Sequence, residues 1–231
     1  MPWFKSVALA ALSIFFCPLD AARAQETPRG FQGSTNPHIE KWAYLLSASK
    51  WPAPVIYVCW ENPADVNESE RKWVQQAITE SWQKASALQF KGWGPCAIKV
   101  EGIRVRIEDS GPHVKSLGQG LNGMNDGMVL NFTFQHWSPS CSGDPAQRKL
   151  CIVSIAVHEF GHSIGLAHEQ NRPDAPGECA QLAQGPDGDK LMTPYDPTSV
   201  MNYCNPVYNN NGKLSDLDAK AVRELYGPPA K

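Results

Sequence analysis

The chain has 231 residues, with 21 lysines and arginines against 23 aspartates and glutamates, which gives a formal net charge of −2 at pH 7. Because this balance is near neutral and the basic residues are scattered, we expect no nucleic-acid partner. The length is sufficient for one sizeable hydrophobic core or two small lobes.

The N-terminus has the pattern of a secretory signal peptide over residues 1–24. Lys5 gives a weakly positive start, residues 7–16 are apolar, and Ala22-Arg23-Ala24 is a small-x-small cleavage site. The apolar run is too short to span a bilayer, and an N-terminal anchor is the alternative interpretation. We therefore expect a secreted protein, extracellular or periplasmic, that is monomeric and has no membrane association once the signal is removed.

The next part of the chain is predicted to contain one strand and one long helix. Residues 25–50 carry little pattern and are predicted to be an N-terminal arm or short pro-segment, with a short helix at 38–47. β-Branched and aromatic residues predict a strand at 54–60. Apolar residues at helical spacing predict a helix at 68–88, which Asn67 would cap.

The middle of the chain is predicted to add two strands and a loop. The sequence Gly-Trp-Gly-Pro at 92–95 predicts a break, and the alternation over 98–108 predicts a second strand. Residues 111–127 contain five glycines and predict an open surface loop. A third strand is predicted at 128–134.

The last part of the chain is predicted to be largely irregular between two helices. Residues 138–149 are polar and predict a cross-linked hairpin or loop, followed by a helix at 150–164. Residues 171–213 are rich in proline, glycine, asparagine and aspartate without a clear period. A capping box at 215–218 predicts a last helix that ends at Tyr226. This order of elements predicts an α+β domain with a cleft between two lobes.

Cysteine usage fits an exported protein. Of the seven cysteines, Cys17 would leave with the signal peptide, and an even number of six in an exported chain predicts disulfides. Six cysteines allow 15 pairings, so the sequence does not choose among them, and some could be free thiols or ligands. By order along the chain we favour Cys59–Cys96, Cys141–Cys151 and Cys179–Cys204.

The most informative stretch is 158–169, which reads His-Glu-Phe-Gly-His-Ser-Ile-Gly-Leu-Ala-His-Glu. On a helix, His158 and His162 are one turn apart on one face, where they can hold one zinc ion. Glu159 lies about 100° further round, where it can contact a water on that ion without being a ligand. A chance match on a core helix is the alternative.

The third histidine, His168, explains the glycine that lies between it and His162. In a continued helix, His168 would lie roughly 9 Å beyond His162 and about 240° round from it, too far to share the ion. The helix must therefore end and the chain must turn back, and Gly165 tolerates the positive φ that this turn needs. Three neutral histidines, one open coordination position and a nearby carboxylate indicate a catalytic zinc site rather than a structural one.

These features resemble a known family, the metzincin zinc metallopeptidases. Residues 158–174, which end Glu-Gln-Asn-Arg-Pro-Asp, are similar to the motif of the astacin branch. Residues 195–203, Tyr-Asp-Pro-Thr-Ser-Val-Met-Asn-Tyr, resemble the astacin Met-turn region, and 214–227 resemble the closing helix of astacins and matrixins. Phe160-Gly161 within the motif departs from the astacin pattern and indicates a distinct bacterial subgroup.

The resemblance implies an architecture for the domain. A metzincin-like α+β fold has a twisted, mainly N-terminal β-sheet with a long backing helix and the zinc-site helix. An irregular lower lobe carries the C-terminal helix, and the active-site cleft lies between the two parts. Residues 51–231 would then be the catalytic domain, and the predicted strand at 128–134 would be the edge strand that aligns a substrate backbone.

The resemblance also implies roles for individual residues. His158, His162 and His168 would bind one catalytic Zn²⁺, and Glu159 would be the general base. Tyr203 would approach the zinc and stabilise the oxyanion, although it could instead be an ordinary core tyrosine.

The interpretation is a secreted zinc-dependent endopeptidase that hydrolyses protein or peptide substrates with a zinc-activated water and a glutamate base. One alternative is a zinc hydrolase that acts on cell-wall or glycan-linked peptides. Another is a non-catalytic secreted binding protein that retains the zinc site. The remaining histidines, His38, His113 and His136, lack paired spacing and are predicted to be surface or structural residues.

Overall fold

The computed structural model describes residues 43–230. The predicted signal peptide at 1–24 and the first part of the predicted arm, 25–42, lie outside the described residues. The last part of that arm packs within the domain, where Ala43–Leu45 forms a strand (β1) in place of the predicted helix. Among residues 43–230, no helix is both long and apolar enough to cross a membrane.

A five-stranded sheet forms the first layer of the domain. Its strands lie in the order β3-β2-β4-β6-β5, and all pair in parallel except β5, which runs antiparallel to β6. The strands are β2 (Val55–Trp60), β3 (Gln89–Pro95), β4 (Ile103–Ile107), β5 (His113–Val114) and β6 (Met128–Leu130). The strands predicted at 54–60, 98–108 and 128–134 are therefore present, although the second and third are shorter than predicted.

Two predictions in this region are wrong. Residues 92–95 do not break the chain but belong to β3, which stays paired with β2 because a bulge at Val58/Cys59 absorbs the register shift. Residues 111–127 are not a simple surface loop, because they contain β5 and a short 3₁₀ helix at Gly118–Leu121. Leu121 in that helix is fully buried, so the segment contributes to the core.

Two helices pack under the sheet. Helix α1 (Glu68–Ile78) continues through a π-helical turn at Thr79–Gln83, and the two segments together correspond to the long helix predicted at 68–88. Trp82 in this turn is fully buried, and its indole N–H donates to the Val157 carbonyl of the second helix at 2.8 Å. This contact fixes α1 against the helix that carries the histidine motif.

Helix α2 (Pro145–Ser163) begins earlier than the predicted start at Leu150. The Asp144 carboxylate accepts from the backbone N–H groups of Ala146 and Gln147, both at 2.9 Å, and proline occupies the first helical position. Both features favour a helix start at this point. The predicted loop at 138–149 is therefore wrong in its second half.

The lower part of the domain is mostly irregular, as predicted for 171–213. It contains a short helix α3 (Gly177–Ala180) and strand β7 (Lys190–Met192), which pairs antiparallel with β1. The last helix, α4 (Asp216–Tyr226), is confirmed together with its cap. Ser215 Oγ accepts from the Asp218 N–H, and Asp218 Oδ2 accepts from the Ser215 N–H, both at 2.9 Å.

The three favoured disulfides are confirmed. Cys59–Cys96, Cys141–Cys151 and Cys179–Cys204 have Cα–Cα distances of 4.9, 5.9 and 5.7 Å, within the range that a disulfide spans. Cys204 directly follows Tyr203, so the third disulfide ties the end of the Met-turn region to α3.

Aromatic residues fix α2 beneath the sheet. Phe160 is fully buried and packs edge-on against Phe90 at a ring-centroid distance of 5.3 Å. Trp93 stacks on the same ring at 5.6 Å. Both partners come from β3, so the strand that the sequence did not predict anchors the helix at the residue next to Glu159.

Candidate active site

The end of α2 brings the three histidines together. The helix stops at Ser163, and Gly165 has a φ of 103°, which confirms the predicted left-handed turn. The Gly165 N–H donates to the His162 carbonyl at 3.0 Å, and the Leu166 N–H donates to the Gly161 carbonyl at 3.1 Å. These bonds cap the last turn and return the chain so that His168 faces His158 and His162.

The three imidazoles converge through one nitrogen each. His168 Nε2 lies 3.2 Å from His158 Nε2 and 3.1 Å from His162 Nε2. The other nitrogen, Nδ1, lies 2.8 Å from a backbone carbonyl in each residue, that of Val200 for His158, Leu166 for His162 and Gln184 for His168.

This arrangement fits a metal ion. A carbonyl only accepts, so each Nδ1 carries the proton and each neutral ring turns an Nε2 lone pair toward the other two. Three lone pairs at this separation repel one another unless a cation lies between them. Tetrahedral zinc with Zn–N bonds of ~2.0–2.1 Å would separate its nitrogens by roughly 3.3 Å, close to the distances here. The donor set is therefore suited to one Zn²⁺.

The electrostatics of the three rings favour their neutral forms. Burial lowers the pKa of His158 to about 3, and the pKa of His162 lies well below its usual value for the same reason. Burial also lowers the pKa of His168. Neutral imidazole is the form that binds a metal, so the histidines are already prepared as ligands at neutral pH.

Glu159 lies beside the histidines with one free oxygen. The residue is only 4% exposed, and its Oε2 has no hydrogen-bond partner among the described residues. Burial raises the pKa of its carboxyl to about 8 in the metal-free protein. A cation held by the histidines would favour the ionised carboxylate, which is the form that accepts a proton.

Tyr203 packs against two of the three histidine rings. Its ring stacks on His158 at a centroid distance of 5.1 Å and an angle of 10°, and it lies 4.6 Å from the His168 ring. Burial, followed by the neighbouring Glu159 and Tyr208, raises the pKa of Tyr203. The phenol therefore stays protonated at neutral pH and can donate a hydrogen bond.

Met201, in the segment that resembles the Met-turn region, packs against the last part of α2 at Gly161. It is 2% exposed, and its sulfur lies where a side chain on Gly161 would be. The Met201 carbonyl accepts from the Glu169 N–H at 3.0 Å, which joins the two segments that flank the histidines.

The site opens into a cavity of about 190 Å³. One wall comes from the edge strand and the residues after it, and the other from a loop below. The lining residues are Pro112, His113, Val114, Leu117, Glu159, His162, His168, Gln184, Gly185, Pro186 and Tyr203.

The cavity wall corrects the assignment of the substrate-aligning strand. Met128–Leu130 (β6) lies between β4 and β5 in the sheet, so it is not an edge. The edge beside the histidines is β5 (His113–Val114), which lies in the segment predicted to be a surface loop. His113 is exposed, as predicted, but it also lines the cavity.

The support for His158 comes from the C-terminal helix. The Val200 carbonyl holds His158 Nδ1, and the Val200 N–H donates to Asp218 Oδ2 at 2.9 Å. Asp218 is 4% exposed and also accepts from Ser199 Oγ at 2.7 Å. The capping box was predicted from sequence, but its link to a histidine ligand was not.

The fold and the three-histidine site resemble those of metzincin metallopeptidases. Solved structures of myroilysin have the same fold. One matches with a TM-score of 0.55 and 19% identity, covering 81% of this chain and all of that one, and another has a TM-score of 0.52. These structures confirm the predicted fold class.

In sequence, the chain is similar to several metalloproteinases. It is 24% identical over 225 residues to human matrix metalloproteinase-16, a match that covers 88% of this chain and 32% of that protein. It is 26% identical over 193 residues to the hatching enzyme of Paracentrotus lividus, covering 80% and 27% of the two chains. A shorter match is to zinc metalloproteinase nas-36 of Caenorhabditis elegans, with 35% identity over 77 residues. It covers 27% of this chain and 12% of that protein.

The chain thus spans about a third or less of the length of these relatives. No family model matches it. The predicted resemblance to metzincins is confirmed by the relatives and the fold together.

Zinc is expected to stabilise the folded chain strongly. At a zinc concentration 1,000 times the dissociation constant, binding contributes about 4 kcal/mol, which for a domain of this size raises Tm by roughly 10 °C. The measurement is thermal unfolding of chelator-treated protein with and without added zinc. Magnesium, which prefers oxygen ligands, serves as the control and should leave Tm unchanged. An equal Tm with and without zinc would contradict the metal site.

Gly161 is expected to tolerate no side chain. A Cβ there would overlap Met201 Sδ and lie 3.1 Å from Trp82 Cζ2, and both of these side chains are buried. Gly161→Ala should therefore lower the free energy of unfolding by about 1–3 kcal/mol, the usual cost of overpacking.

The matched control is Gly143→Ala, because a Cβ at that position meets nothing closer than 3.7 Å. In a Met201→Ala background, Gly161→Ala should cost less than in the wild type, because the sulfur that it overlaps is gone. Urea unfolding of the wild type and of the Gly161, Gly143, Met201 and double variants decides the matter, and equal stability of the Gly161 and Gly143 variants would refute the predicted overlap.

Proposed function

We propose that this chain is a secreted zinc endopeptidase in which His158, His162 and His168 hold the metal and Glu159 is the general base. One observation carries the proposal. Three Nε2 atoms converge with their Nδ1 atoms already bonded to carbonyls, beside a buried carboxylate oxygen that has no partner in the described chain.

Zinc in this site would supply Lewis acidity, polarising a scissile carbonyl and lowering the pKa of water to about 7. Glu159 accepts the proton of the attacking water through its free oxygen and passes it to the leaving amine.

Tyr203 supports the same reaction by donating its hydroxyl to the negative charge that develops on the carbonyl oxygen. Its ring position against His158 and His168 and its protonated phenol support this role. The backbone of Tyr203 is held by the buried Gln170, whose side-chain oxygen accepts from the Tyr203 N–H at 3.1 Å.

The substrate proposed is a protein or peptide in extended conformation. Strand β5 is a sheet edge beside the site, and an extended chain can pair with such an edge through its backbone. The loop at Gln184–Pro186 forms the facing wall, so the cavity would receive a side chain next to the scissile bond.

Secretion is supported by the predicted signal peptide at 1–24 and by three disulfides, which persist in oxidising compartments. An extracellular or periplasmic location follows from both features.

The test is digestion of unfolded casein by the purified zinc-loaded chain, with purified peptidoglycan in parallel and mass spectrometry of the products. We expect casein to be cut at internal bonds, and we expect a chelator to abolish this cleavage. Release of cell-wall peptides without casein cleavage would assign the site to another peptide class. Zinc binding without cleavage of either substrate, also after removal of residues 25–42, which precede the packed strand β1, would overturn the proposal in favour of a binding protein.

A further inference from the structure

The acceptor for His168 lies on an exposed loop, unlike the acceptors for the other two histidines. Leu166 belongs to the capped end of α2, and the Val200 peptide is held by buried Asp218. Gln184, whose carbonyl accepts from His168 Nδ1 at 2.8 Å, lies in the exposed stretch 181–187. Burial alone therefore does not fix this carbonyl.

One side chain holds the Gln184 peptide on both of its polar groups. Asn171 Oδ1 accepts from the Gln184 N–H at 3.0 Å, and Asn171 Nδ2 donates to the Gln184 carbonyl at 2.9 Å. The same Nδ2 donates to Asp187 Oδ1 at 3.0 Å, further along the loop. A carboxamide supplies this pair of bonds because it carries a donor and an acceptor side by side.

Asn171 is itself tied to the histidine that it serves. It ends the short 3₁₀ helix Glu169–Asn171 that follows His168, and its N–H donates to the His168 carbonyl at 3.2 Å. The residue thus connects the backbone of His168 to the carbonyl that orients the ring of His168. Gln184, Gly185 and Pro186 also line the cavity, so the same contact sets one wall of the cleft.

We propose that Asn171 is a positioning residue of the zinc site, which fixes the Gln184 carbonyl and through it the orientation and tautomer of His168. This inference rests on the proposed zinc site at the three histidines. Residues that orient metal ligands through hydrogen bonds are typically worth 10–100-fold in metal affinity. Loss of the Asn171 carboxamide should therefore weaken zinc binding about 10–100-fold, although all three histidine ligands are still present.

The test compares zinc dissociation constants, measured by competition with a chromophoric chelator, for the wild-type chain, Asn171→Ala and Asn171→Asp. The aspartate variant keeps the size and the acceptor but loses the Nδ2 donor and faces Asp187 with a like charge. Asn125→Ala, at an exposed asparagine that does not line the cavity, is the matched control. Both Asn171 variants should bind zinc more weakly, and the control should match wild type.

Two further readouts separate positioning from general damage. Thermal unfolding of the metal-free proteins should give Tm values near wild type for Asn171→Asp, so that this variant decides the matter if Asn171→Ala folds poorly. Nitrogen NMR of labelled imidazoles should show a change at His168 and none at His162, whose Nδ1 donates to Leu166.

The outcomes are distinguishable. Wild-type affinity in both Asn171 variants, with zinc bound by the wild type, overturns the role of Asn171 and leaves the proposed function intact. Absence of zinc binding by the wild-type chain overturns the proposed function, and the positioning role with it.

Discussion

Replacing Glu159 with glutamine is expected to lower kcat for peptide hydrolysis at least a hundredfold, within the 10²–10⁴ range of a lost acid–base group. Glutamine has nearly the same shape but no basic oxygen, so water is no longer deprotonated. The three histidines are untouched, and zinc content should stay at about one ion per chain. The measurement is kcat on a fluorogenic peptide beside zinc analysis of the same sample.

The matched control for this prediction is Glu224→Gln on the exposed face of α4, which should have wild-type activity. A Glu159→Gln protein that carries zinc and cleaves at the wild-type rate would show that another group is the base. Tyr203 is not a candidate, because its raised pKa leaves the phenol protonated at neutral pH.

Replacing His162 with alanine is expected to remove both zinc and activity. The variant keeps only two imidazoles, whereas catalytic zinc sites have three protein ligands. His162 Nε2 lies 3.1 Å from His168 Nε2, so its loss also opens the point where the ligands converge. Metal analysis after dialysis and the peptide assay check the result.

The control for this variant is His136→Ala. His136 is exposed and pairs with Asp109 through a 2.7 Å contact, away from the three histidines, so its loss should affect neither zinc content nor activity. Full zinc occupancy in His162→Ala would refute its role as a ligand. Together, the Glu159 and His162 variants separate loss of chemistry from loss of metal.

The centre of the site was predictable because its information is local. His158 and His162 are one helical turn apart, and Gly165 marks where that helix must end, so spacing and backbone freedom define three ligands without a fold. The capping box at Ser215 is equally local, which is why α4 was predicted to its last residue.

The walls of the site were not predictable in the same way. Strand β5 has two residues, too few for an alternating pattern, and it pairs with β6 only through contacts across the sheet. Strand β3 contains glycines and a proline, which are normally signs of a turn, and it persists because a bulge keeps its pairing with β2. Tertiary contacts override local preference in both strands.

The groups that orient the histidines were also invisible in the sequence. All three are backbone carbonyls, which any residue could supply, and Val200 lies 42 residues from the histidine that it orients. Asn171 donates to the Gln184 carbonyl and Asp218 accepts from the Val200 N–H, and the sequence shows these two residues only as part of a motif and of a helix cap. Only the fold shows that both act next to the ligands.

The most direct test of the account is X-ray absorption at the zinc edge on zinc-loaded Glu159→Gln, together with the metal content of that protein. We predict about one zinc per chain, with three imidazole nitrogens at ~2.0–2.1 Å, no sulfur ligand and the remaining position held by oxygen. A zinc-free protein, or a spectrum with sulfur at ~2.3 Å, would contradict the three-histidine site.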